Sequence, residues 1–228
     1  MAKLLSALPV GSVVKSTNTK YNGKVIRWIV GTQDTANGRT GLVTEKMITL
    51  KCFDAKEPSN TNGDRRSYGN NRYSQSNIDQ WLNSQAASWY SARHSYDAPP
   101  NNANVWSNYN EYDTEAGFLS NFEADFRKAI LDAVIRVAKN TVTDGGGYED
   151  ITRKVFLLSN TEVGLSNENS VAEGALWSYF SSAARRQCYP TAEAVSNSEY
   201  TNSSLNASSY WYLSLIHISE PTRLQLIS

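Results

Sequence analysis

Two histidines, His94 and His217, and two cysteines, Cys52 and Cys188, are the imidazoles and thiols available for chemistry. A Ser-His-Asp or Cys-His centre needs an imidazole held by a carboxylate and facing a nucleophile. His94 has Asp97 nearby and serines around it, but that is also ordinary loop composition. Zinc needs three or four nitrogen or sulfur ligands, and two isolated Cys with two isolated His do not show that pattern. Calcium needs clustered oxygens. Asp54, Glu57, Asn60, Asn62 and Asp64 form a loose oxygen-rich set, and turn chemistry explains the same residues equally well. The glycines Gly145, Gly146 and Gly147 lack the strand, helix and Lys-Ser/Thr order of a phosphate loop. Paired carboxylates for glycoside hydrolysis are a spatial feature that a sequence does not display. The expectation is therefore no catalytic residue, no metal and no cofactor, with both cysteines as buried free thiols and a single Cys52–Cys188 bridge as the alternative.

The most unusual stretch is residues 86–112. It carries Trp89, Tyr90, Tyr96, Trp106, Tyr109 and Tyr112 among Asn, Ser and Pro99-Pro100. These aromatics follow neither a strand nor a helix period. Two readings stand. They pin a long loop onto the core, or they offer platforms to a glycan or protein ligand. Tyr and Trp serve both roles because each joins a large apolar face to a polar tip. We take all six as the candidate ligand-binding residues.

Composition narrows the partners. The chain has 228 residues, with 22 basic and 22 acidic side chains. A nucleic-acid binder needs excess positive charge to displace counterions from phosphates, so nucleic acid is not expected. No apolar stretch is long enough to span a bilayer, and the N-terminal apolar run is too short for a secretory signal. The expectation is one domain, made in the cytosol without an export signal.

The elements that position these residues follow in order. Residues 10–15, 25–30 and 41–45 read as a β-meander, with Asn22-Gly23 as its first hairpin turn. Residues 54–73 read as a long polar loop. Ser76 is expected to cap a short helix, with Asp79 in its first turn. Ser120 and Glu123 form a capping-box pattern before a helix with Phe122, Phe126 and Ile130 as its buried stripe. Strands are expected at 134–137 and 154–158, a second capping box at Ser159 and Glu162, and a helix over 173–180. The run Ser209, Tyr210, Trp211, Tyr212, Leu213 reads as a buried central strand.

Several motifs together resemble an uncharacterised domain family of gut Firmicutes and their phages and prophages. They are Leu8-Pro9-Val10-Gly11-Ser12-Val13-Val14-Lys15 with Tyr21-Asn22-Gly23 and Trp28, then Ser76-Asn77-Ile78 with Trp81-Leu82-Asn83. Lys154-Val155-Phe156-Leu157-Leu158-Ser159 with Glu162-Val163-Gly164 and the strand Tyr210-Trp211-Tyr212-Leu213 complete the set. The likeness covers residues 8–213. It implies an α+β, C-type-lectin-like fold related to formylglycine-generating enzymes, with a mixed antiparallel sheet, short helices and long aromatic, Asn-rich loops. It further implies a non-enzymatic phage or prophage structural protein, tail-associated and located in the virion. Its partners would be a host-surface glycan or protein, other virion proteins and a second copy of itself. The reactive cysteines of the enzymatic relatives have no counterpart here. The alternatives are an enzyme of the formylglycine-generating or carbohydrate-active type, or a bacterial surface adhesin.

The chain departs from the family after Leu213, where Arg-Ser/Thr-Pro is expected. Residues 214–228 resemble a translated sequencing adapter instead. The expectation is a domain over 1–213, C-terminally truncated, with a non-native tail. Beside the strand around Phe156 the sheet would then show either an open edge or Leu215-Ile216-His217-Ile218 pressed into the vacancy.

Overall fold

The meander forms where alternation places it. β1 (Val13–Tyr21) turns through Asn22 and Gly23, at φ 47° and 76°, into β2 (Lys24–Asp34), and β3 (Arg39–Thr44) follows. Both turn residues adopt the left-handed backbone that Asn-Gly tolerates. In β2, Ile26 and Trp28 are buried while Val25 and Arg27 face solvent, and from Ile29 onward both faces are covered. The sheet accordingly separates two cores. Trp28, Val30 and Leu42 pack with Trp81, Phe118 and Phe122 on one face. Ile29, Val43 and Met47 pack with Phe156, Trp177 and Phe180 on the other. This computed structural model describes residues 4–105, 110–167, 169–196, 209–210, 214–219 and 225–226.

Residues 54–73 are not a plain loop. They contain α1 (Gly63–Tyr68), whose first turn is capped by the Asn62 side chain accepting from the Arg65 N–H. α2 (Asn77–Leu82) starts as expected, with Ser76 Oγ accepting from the Asp79 N–H at 3.3 Å. The Ser120–Glu123 box does not form, and Glu123 precedes α3 (Ala124–Ala129) without a side-chain cap. Tertiary pairing overrides it: Phe122 bridges to Thr19, and the Glu123 N–H donates to the Asn18 carbonyl. Phe122, Phe126 and Ile130 are nonetheless all buried.

β4 (Ile130–Leu131), β5 (Ala133–Ala138), β6 (Tyr148–Arg153) and β7 (Val155–Leu157) follow. β5 and β6 form a separate hairpin. At Ser159 the capping-box bonds do form, from the Ser159 N–H to Glu162 Oε2 and from the Glu162 N–H to Ser159 Oγ. They close one turn, not a helix, and Gly164 leaves it at φ 76°. The helix expected over 173–180 shrinks to a 3-10 turn at Ser178–Ser181, because Gly174 sits at φ 97°, outside helical space, and Trp177 is extended at φ −73°, ψ 132°.

β8 (Gln187–Cys188), α4 (Ala192–Ser196), β9 (Ser209–Tyr210), β10 (Ser214–Ser219) and β11 (Gln225–Leu226) complete the chain. The main sheet runs β11-β1-β2-β3-β10-β4, with β7 also on β10. The described part of the aromatic run does not supply its central strand. Ser209 and Tyr210 pair with β8, and Trp211, Tyr212 and Leu213 lie outside the described residues. β10 fills that place. Leu215 is opposite Val43 of β3 on one side and Phe156 of β7 on the other. Of the two alternatives for this edge, the structure has residues 215–218 in the vacancy. The architecture is α+β, a few short helices around small antiparallel sheets. Among the described residues, no helix is long and apolar enough to cross a membrane.

Candidate functional site

The six candidate aromatics part company in the structure. Trp89 and Tyr112 are buried and stack on each other, with ring centroids 5.4 Å apart and planes within 9°. The Trp89 indole N–H donates to the Tyr112 carbonyl, and the Tyr112 hydroxyl donates to the Cys52 carbonyl. Their ring faces and polar tips are thus taken up inside the core, which corrects the reading of these two as ligand platforms. Tyr90 is half-buried against Trp89, and Tyr96 is exposed. Trp106 and Tyr109 lie outside the described residues.

A different region makes the concavity. A cleft of about 1030 Å³ opens between the extended run 47–53 and the face formed by β5 and residues 156–162. Its floor is apolar, with Met47, Phe53, Tyr73, Ile135 and Leu157. Phe53 is 38% exposed and its ring lies 6.1 Å from that of Tyr73. The rim is rich in amides, from Asn71, Asn140, Asn160 and Asn169. None of these residues was a candidate site residue in the sequence. Residues 48–53 read in the sequence only as an extended piece, and the amides are scattered over 99 positions.

Among the ionisable groups that line the cleft, Lys51 and Glu162 are perturbed by burial. Lys51 Nζ is paired with Glu115 at 2.6 Å and lies 4.9 Å from the Tyr112 ring centroid. Burial lowers its pKa, and Glu115 opposes that shift. Burial pushes the Glu162 carboxyl up to about 7 against the Ser159 hydrogen bonds, with Glu173 adding to the rise. Unfolded, a Glu titrates near about 4.3, so the folded state holds this proton more tightly. The stability it contributes is fully present below about pH 4.3 and is lost as pH rises through about 7. Glu162→Gln keeps the acceptor and removes the titration. The stability of the natural chain relative to this variant, from urea midpoints, should fall between about pH 4 and pH 8. A difference independent of pH would contradict the assignment.

The thiols offer no nucleophile. Cys52 and Cys188 are both free, and burial pushes each up to about 12. Thiolate reactivity requires a depressed value.

The oxygen-rich set and His94, separate features in the sequence, meet in space. Asn62 caps α1 and Asp64 lies in its first turn, so these two do serve local structure. Asp54, Glu57 and His94 instead converge, with one ligand atom of each lying within 4.8 Å of the others. Asp54 Oδ1 and Oδ2 accept from the Asn77 and Asn70 N–H groups at 2.8 and 2.7 Å. Burial pushes the Asp54 carboxyl up to about 7 despite those donors, with Asp97 and Glu57 adding to the rise. Glu57 Oε2 accepts from the Asn60 amide, whereas Oε1 accepts no hydrogen bond. His94 Nε2 lies 3.5 Å from that oxygen. Asp97, the carboxylate near His94 in the sequence, is engaged elsewhere, by the Arg93 N–H and the Asn77 amide.

Comparison with curated proteins and with solved structures returns no match. A family model does match, over residues 37–220, and it is described as a domain of unknown function, DUF6273. The matched span runs from the turn before β3 to the residue after β10 and carries both the cleft and the polar cluster. With most of its length matched, the chain belongs to the DUF6273 family.

Proposed function

We propose that the chain is a non-enzymatic binding module that takes a host-surface glycan in the cleft between residues 47–53 and the β5 face. The observation that carries this reading is the cleft itself, an apolar floor with an exposed Phe53 ring under an amide rim. Pockets that hold small ligands have about 300–1,000 Å³ and this same mix of apolar lining and sparse polar groups. Sugars suit it, because their C–H faces stack on aromatic rings while amides satisfy their hydroxyls. The thiols are held protonated, which supports binding over cysteine chemistry. The phage or prophage setting, with attachment to other virion proteins, rests on the sequence resemblance. So does the C-type-lectin-like fold.

A glycan array followed by calorimetry tests the reading. Phe53→Ala, at a partly exposed position, should leave the fold intact and weaken the best glycan by about tenfold. Undiminished binding by that variant, or turnover of a bound sugar, would displace the proposal.

A further inference from the structure

We infer that Asp54, Glu57 and His94 form a divalent-metal site, suited to a first-row ion of the zinc class. The site is independent of the proposed glycan cleft, since none of the three residues lines it. Two imidazole-free explanations can be set aside at once. Simple turn chemistry accounts for Asn62 and Asp64 but not for a carboxylate buried as deeply as Glu57, whose side chain is 0% exposed. Nor does the amide of Asn60 complete it, because that donor serves Oε2 and leaves Oε1 without a hydrogen bond. A buried carboxylate oxygen facing no donor is unfavourable unless a cation or a proton meets it.

The geometry favours the cation. Glu57 Oε1 and His94 Nε2 are 3.5 Å apart, beyond the usual range of an N–H···O hydrogen bond. Yet donors about 2.1 Å from a tetrahedral ion lie about 3.4 Å from each other, which matches this separation. The third donor, an Asp54 oxygen, is within 4.8 Å of both and has a lone pair beyond the one its backbone donor uses. An ion between the three would draw it inward.

The surroundings are those of a supported ligand set. Asn70 and Asn77 N–H groups orient Asp54, and the Asn60 amide orients Glu57. Such outer contacts fix ligand direction in metal sites. Asp54 and Glu57 are closed off, while the His94 side chain keeps 16% exposure, so an ion enters past the imidazole. One nitrogen and two carboxylate oxygens suit zinc and its first-row neighbours. Calcium and magnesium select oxygen ligands and do not call for an imidazole. Three protein donors leave a fourth position to solvent.

The test uses the full chain, stripped with a chelator and titrated with ZnCl2. One ion per chain is expected by calorimetry and by elemental analysis. X-ray absorption at the zinc edge should show one imidazole and oxygen scatterers near about 2.0–2.1 Å. His94→Ala and Glu57→Gln should each weaken zinc by at least about 100-fold, and the outer-shell variant Asn60→Ala by about tenfold. Absence of zinc binding by the natural chain overturns the inference. So does zinc held without an imidazole, equal affinity in folded His94→Ala, or calcium bound in preference to zinc. The absorption measurement needs no variant, so a variant that fails to fold leaves the inference decidable.

Discussion

An Asp79→Ala chain will lose about 3–5 kcal/mol of stability, read from urea unfolding followed by tryptophan fluorescence. Asp79 is fully buried in the first turn of α2. Its Oδ1 accepts from Arg153 Nε at 2.6 Å, and its Oδ2 accepts from an Arg153 terminal nitrogen and from Arg93, each at 2.7 Å. The Asn83 amide adds a longer bond at 3.3 Å. One carboxylate therefore ties α2 to the end of β6 and to the loop at Arg93. Removing it leaves two guanidinium groups, both largely shielded from water, with no counter-charge. That loss dominates over any gain from relieving the buried anion, because only one partner of the set has gone. Asp150→Ala provides the contrast. Asp150 pairs with Arg136 at 2.9 Å, but both side chains face solvent, and such pairs contribute little. Its unfolding midpoint should match the natural chain. A loss below about 1 kcal/mol for Asp79→Ala would show that water replaces the carboxylate and that the network is not a structural hub.

Trp177→Ala will cost a comparable amount, about 3–5 kcal/mol, by leaving a ring-sized void in the second core. Trp177 is 5% exposed and packs its six-membered ring against Gly31 of β2 and Gly41 of β3. A Cβ at Gly41 would stand 2.3 Å from the Trp177 ring and 2.8 Å from the Thr32 methyl; one at Gly31 would stand 2.6 Å from the same ring. The two glycines thus form the floor on which the indole rests. Gly41→Ala in the natural background should cost about 1–3 kcal/mol by overpacking. In the Trp177→Ala background the same change should cost much less, since the clashing ring has gone. The coupling in that double-mutant cycle is the test. Additive losses would mean that the indole does not occupy the floor in solution.

Legibility differed from feature to feature, for reasons that particular residues make plain. The Asn22-Gly23 hairpin and the Ser76 cap were readable because the residues that decide them are adjacent in sequence. The Ser120–Glu123 box was equally local in pattern, yet the pairing of Phe122 with Thr19 set it aside. The helix over 173–180 failed at Gly174, whose φ is positive, and at Trp177, whose backbone is extended, neither of which the hydrophobic pattern reveals. In the aromatic loop the residue types were right for either role. Which rings face inward was settled by the partner each meets, Trp89 on Tyr112 and Tyr112 on the Cys52 carbonyl.

By itself, then, the sequence determined the opening meander, its turn, the start of α2 and the burial of Phe122, Phe126 and Ile130. All of these rest on backbone preference and side-chain period, which act over a few neighbouring residues. Only the tertiary structure decided that β10 takes the centre of the sheet, that Phe53 lines a cleft with the β5 face, and that Glu57 faces His94. Those outcomes depend on which distant segments come together, and the energy that selects them is shared among surfaces that no local pattern records. His94 and the oxygen-rich run were each visible; their convergence across 37 positions was not.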